Sequence, residues 1–79
     1  MNVCLDVILP APLRKYERII DYAINDMGIR GKLDEFRREG KLVLMAAKDL
    51  LFSNLSEKAI EFAFDTKIRE HFRRLLGHR

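Results

Sequence analysis

The stretch Lys58 to Leu76, KAIEFAFDTKIREHFRRLL, constrains the fold most, because its hydrophobic period changes partway along. Ile60, Phe62 and Phe64 alternate with Ala59, Glu61 and Ala63, the spacing of a strand with one apolar face. From Thr66 onward, Ile68, Phe72, Leu75 and Leu76 follow the i, i+4, i+7, i+8 stripe of a helix. Asp65 stands at the switch as a good N-cap, and Gly77 closes the far end as a C′ residue. Read as one helix, the stretch would set Glu57, Glu61 and Asp65 on the side that Phe64, Ile68 and Phe72 bury. A strand feeding a capped helix removes that conflict.

The rest of the chain is read around this unit. Val3, Leu5, Val7 and Leu9 share one face of a strand over 2–9, which Pro10-Ala11-Pro12 ends. Pro12 suits the first position of a helix running to Met27, with Leu13, Tyr16, Ile20, Ala23, Ile24 and Met27 inward and Ile19 at the margin. Gly28 ends that helix. Its charge order is inverted, with Arg14 and Lys15 in the first turn and Asp26 in the last. A short helix over 32–39 buries Leu33 and Phe36. After Gly40, KLVLMA is apolar on both faces and reads as a covered strand. Residues 47–57 form a connection, with a helical turn at 49–52 and a turn at Ser53-Asn54. The expected fold is therefore α+β, one domain over 1–79, in the order strand-helix-helix-strand-strand-helix. The alternative is a mostly α protein, a helical dimer with an N-terminal strand. It rests on Leu33, Phe36, Gly40, Val43, Ala47 and Leu50, whose spacing allows one helix over 32–52 with Gly40 at a close contact.

Composition narrows the class. With 79 residues, 48% hydrophobic and 34% charged, the chain suits one small globular core. The single cysteine, Cys4, forms no internal disulfide and has no neighbouring metal ligands, which favours a reducing cytoplasm. Neither a signal peptide nor a membrane span is expected. A core this small without staples makes a homodimer plausible. The net charge of +3 is concentrated at one end. Residues 66–79 carry Lys67, Arg69, Arg73, Arg74 and Arg79 against Glu70 alone, so the chain is basic only through its last helix. The simplest role for those cations is to complement the helix dipole and pair with Asp65 and Glu70 one turn earlier.

Gly28-Ile29-Arg30-Gly31-Lys32 is the most suggestive short motif: a G-x-x-G corner between two helices, carrying two cations. Without side chains at the glycines, a phosphate backbone can approach closely. The order of elements around this corner is similar to that of KH domains, whose GXXG loop clamps single-stranded nucleic acid. Met27 takes the place of the aliphatic residue that usually precedes that loop, and the first helix is longer than usual. The resemblance implies a nucleic-acid site at Gly28, Arg30, Gly31 and Lys32, and Arg37 and Arg38 extend the basic strip. The plainer reading is a Gly C-cap followed by a link, with Asp34 and Glu35 pairing with the two arginines. A nucleotide P-loop is excluded, since its four-residue spacer and following Ser/Thr are missing. Strand, Leu-Pro, helix, Gly-Ile, helix also resembles the ribbon-helix-helix order. Its outward strand residues here would be Cys4, Asp6 and Ile8 instead of polar or basic readers.

Catalytic constellations are missing from the pattern. His71 and His78 form no zinc-ligand spacing, and Ser53 and Ser56 sit in capping contexts. Phe36, Phe62, Phe64 and Phe72 lie at core spacing and are assigned to packing, with His71 at the core boundary. The expectation is a non-catalytic module without cofactor, binding single-stranded RNA or DNA through the basic corner. The alternative is a protein-interaction or regulatory module using an apolar surface or sheet edge.

Overall fold

The computed structural model describes residues 8–77, and no strand is present among them. The elements are α1 (Ala11–Arg14), α2 (Glu17–Asp26), α3 (Leu33–Ala46), a 3-10 turn (Lys48–Phe52) and α4 (Glu57–Gly77). The α+β order is thus overturned: this is a small all-α domain built on three helices.

Each correction has a local cause. Most of the N-terminal strand over 2–9 lies outside the described residues, and residues 8–10 have no regular structure. KLVLMA continues α3 instead of starting a strand. Gly40 lies inside that helix because α2 passes so close that a Cβ there would meet Ile20 Cγ2 at 2.7 Å. This is the close contact of the long-helix alternative, although α3 stops at Ala46 and the 3-10 turn follows. Residues 58–64 are helical as well, within α4. Its buried residues are Ile60, Phe64, Ile68 and Phe72, one every fourth position, and Phe62 is 71% exposed. Asp65 is therefore mid-helix and caps nothing. Ser56 takes that role, its Oγ accepting from the Ala59 N–H at 3.2 Å. Gly77 is still helical, and Leu75 and Leu76 are exposed at the end of α4. The helix expected over 12–27 is interrupted at Lys15 and Tyr16, where successive i→i+3 bonds tighten the backbone: Tyr16 N–H to Leu13 carbonyl and Ile19 N–H to Tyr16 carbonyl.

The conflict that argued against a continuous α4 is resolved by partners from α2. Glu61 accepts from Arg18 at 2.7 Å, and Asp65 accepts from Arg69 Nε at 2.8 Å. Arg69 reaches on to Asp26 at 2.5 Å. A column of charged residues thus runs beside the buried column, neutralised across the seam. The same pairs explain the inverted charge order of the first helical region. Lys15 meets Glu57 at 2.8 Å where α4 starts, and Asp26 meets Arg69 towards its other end. Hydrogen bonding from Lys15 holds the Glu57 carboxyl below its ordinary range. Asp26 and then Asp65 raise the Arg69 guanidinium. Signs read +, +, − along α2 and −, −, + along α4. An antiparallel placement would set Lys15 against Arg69 and Asp26 against Glu57, so these end pairs favour parallel packing.

α3 runs antiparallel to both neighbours, pairing Arg37 with Asp21 and Lys41 with Glu17 on α2, and Glu39 with His71 on α4. The core between them is built from Leu13, Tyr16, Ile20, Ala23, Ile24, Phe36, Leu44 and the α4 column, all buried. Tyr16 packs on Phe64 at 4.9 Å between ring centroids, and Phe36 meets Phe72 edge-on at 5.1 Å. The inward face expected for residues 13–27 is largely the observed one, although Ile19, expected at its margin, is buried and Met27 is only half-buried. His71 sits at the core boundary, half-buried against Glu39 at 2.7 Å.

Candidate functional site

Gly28 takes φ +70°, a conformation that favours glycine, and ends α2 in a Schellman turn. The Ile29 N–H donates to the Ile24 carbonyl at 3.0 Å, and the Gly28 N–H donates to Asn25 at 3.2 Å. Ile29 is buried beside Ile24, and this apolar contact pins the corner to the core. The second left-handed residue is not Gly31 but Lys32, at φ +56°. Lys32 begins α3 with no side-chain cap, and Gly31 has open space where a Cβ would stand. Arg30, Gly31 and Lys32 are all exposed. The corner is an outward ridge anchored by one isoleucine.

Helix directions decide what lies beside it. Asp26, two residues before Gly28, is level with Arg69 on α4, and Phe36, one turn into α3, is level with Phe72. Arg73 and Arg74 follow within about 8 Å along the α4 axis, Arg73 on the same side as Arg69 and Arg74 about 200° around from buried Phe72, on the solvent face. The corner and the basic last turns of α4 therefore share one end of the bundle. Arg30, Lys32, Arg73 and Arg74 have no carboxylate partner among the described residues. Of the other two residues expected in the strip, Arg37 turns to α2, donating to Asp21 at 3.2 Å, and lies 3.8 Å from Asp34 of its own helix as an ion pair. Arg38 lies about 200° around α3 from buried Phe36, on the solvent face.

Sequence reasoning missed two contributors. Arg73 and Arg74 had been assigned to the α4 dipole. The charge skew of residues 66–79 was a signal for them, but only the parallel seam joins them to the corner. The other is an aromatic pair. Tyr22 and Phe62, 62% and 71% exposed, line a groove of about 580 Å³ between α2 and α4. The i, i+4 series Arg18, Tyr22, Asp26 carried the signal for Tyr22, whereas Phe62 was hidden by its strand-like spacing.

Among the described residues no group of His, Cys, Asp and Glu side chains is arranged to hold a metal, and no helix is long and apolar enough to cross a membrane. The observed all-α order lacks the sheet of a KH domain, so the KH-like recognition groove is not carried forward. The chain matches no protein-family model, and no curated protein or solved structure is similar to it.

Proposed function

We propose that this protein is a small, non-catalytic nucleic-acid-binding module whose basic end holds the phosphate backbone of single-stranded RNA or DNA. The reading is carried by one observation: Arg30, Lys32, Arg73 and Arg74 lie at one end of the bundle without carboxylate partners among the described residues, whereas Lys15, Arg18, Arg37, Lys41 and Arg69 along the seams are paired. Lys32 supports it further. A left-handed backbone costs an L-residue about 1 kcal/mol or more, yet a lysine stands there rather than a glycine. The long cationic side chain is then the reason for accepting the strain.

Fluorescence anisotropy with labelled oligonucleotides across a salt series tests this. Binding at low salt should weaken steeply as salt rises, with a log–log slope of about 0.7 per phosphate contacted for a single strand. Arg30→Ala with Lys32→Ala, and separately Arg73→Ala with Arg74→Ala, should each weaken binding across sequences and make the slope shallower. Arg14→Ala with Lys48→Ala removes the same charge from the opposite end and should change little. Equal losses from all three pairs would show a net-charge effect rather than a site, and no binding at low salt would reject the reading.

A protein-interaction module is the second reading, favoured by one feature. At the end opposite the corner, Pro12, Phe52, Leu55 and Ile60 line an apolar groove of about 560 Å³, with Phe52 81% exposed. Partner binding there would be lost in Phe52→Ala and would not weaken as salt rises.

A further inference from the structure

The groove between α2 and α4 is built differently from the basic end. Its lining includes Arg18, Tyr22, Asn25, Asp26, Phe62 and Arg69. Arg18 is engaged by Glu61, and Arg69 by Asp26 and Asp65, so these cations are closed to phosphate. What the groove does offer is two exposed aromatic rings, an exposed side-chain amide and, at its far end, the exposed Lys58. Aromatic rings stack on the faces of unpaired bases, and an asparagine amide meets the donor–acceptor pattern of base edges. The Asp26–Arg69 pair marks the end of the groove that adjoins the corner, so the groove and the basic end form one continuous surface.

We infer that bases of a single strand, held by its phosphates at the basic end, enter this groove and stack on Tyr22 and Phe62, making the protein selective for single strands over duplex. The inference rests on the nucleic-acid reading above and adds the substrate class. Duplex bases are already stacked and leave no free face for either ring, so a duplex gains only the phosphate contacts.

The sequence supplies a direct optical test. It has two tyrosines and no tryptophan, and Tyr16 is buried in the core, so Tyr22 is the accessible intrinsic fluorophore. Titration with a short oligothymidylate should quench tyrosine emission, and Tyr22→Phe should remove the quenching while retaining affinity. Tyr22→Ala with Phe62→Ala should weaken single-strand binding by roughly tenfold or more. The salt slope and binding to a duplex of equal length should stay unchanged in that variant. Both side chains are exposed, and an unchanged melting temperature verifies that the fold is intact. The inference is overturned if the double variant binds single strands as tightly as the wild type while Arg30→Ala with Lys32→Ala still weakens binding; the nucleic-acid reading then survives alone. It is also overturned if the wild type binds duplex equally well, or if the double variant instead reduces the sedimenting mass, which would show a second copy covering the groove. Absence of any oligonucleotide binding removes the reading and the inference together.

Discussion

Gly40 and Gly31 show how differently the helix seams and the basic end are constructed. At Gly40 the hydrogen faces Ile20 so closely that a methyl group has no room. At Gly31 nothing stands within 4 Å of the same position. The charges follow the same division. Along the α2/α4 seam Lys15, Arg18 and Arg69 each meet a carboxylate, whereas Arg30, Lys32, Arg73 and Arg74 at the basic end meet none among the described residues. Seam residues are constrained by the fold, and the cations of the basic end carry no such constraint. Substitutions in the two regions should therefore separate stability from binding.

The largest expected contrast is between the two glycines. Gly40→Ala forces Ile20, a buried branched side chain, to move, and overpacking of this kind costs about 1–3 kcal/mol. The better helix propensity of alanine offsets no more than about 1 kcal/mol of that. Gly31 lies outside the left-handed region, so Gly31→Ala should leave stability level or raise it by about 0.4–1 kcal/mol. Denaturant melts of both variants measure the difference. A Gly40→Ala protein as stable as wild type would mean that the α2/α3 seam is looser than its geometry. Truncating Ile20 to alanine in that background should give a combined loss smaller than the sum of the single losses.

Next in size is a contrast between cations. Arg69→Ala strands Asp26 and Asp65 beside the seam and should cost about 1 kcal/mol, since these groups are partly screened by solvent. Its effect on oligonucleotide binding should be small. Arg30→Ala with Lys32→Ala should do the reverse, shifting stability by less than about 0.5 kcal/mol while reducing binding. Melting and anisotropy on the same two proteins decide it, and parallel losses in both would erase the proposed division of labour.

The smallest effect is the most specific to the corner. Lys32→Gly relieves the left-handed strain and should raise stability by up to about 1 kcal/mol, despite the entropy a new glycine adds to the unfolded chain. On the proposed function binding should fall, because a cation of the basic end is gone. A stability gain with unaltered affinity would leave the strain at Lys32 without a functional reason.

Much of the local structure was legible beforehand. The inward face over residues 13–24, the helix stop at Gly28 and the cap at Ser56 depend on neighbours within a turn or two, where periodicity and capping chemistry operate. So does the 3-10 turn at Lys48–Phe52, expected as a helical turn near residues 49–52. The basic corner was visible for the same reason.

Helix against strand at residues 58–64 was a different kind of question. Ile60, Phe62 and Phe64 satisfy an alternating pattern, and Ile60, Phe64, Ile68 and Phe72 satisfy a fourfold one, so the apolar residues alone admit both. The choice turned on whether Glu61 and Asp65 could lie beside a buried stripe. That became possible only because Arg18 meets Glu61, and Asp26 joins Asp65 in binding Arg69, partners contributed 43 residues away along the chain. The length of α3 was settled the same way, by a close approach between Gly40 and Ile20. By itself, then, the sequence determined the helix stop at Gly28, the turns and one amphipathic face, because short-range geometry is sufficient for them, whereas the cap expected at Asp65 fell inside α4. Tertiary structure decided the all-α fold and the placing of the corner at the same end of the bundle as Arg73 and Arg74, because charge neutralisation and close packing exist only once distant segments are side by side.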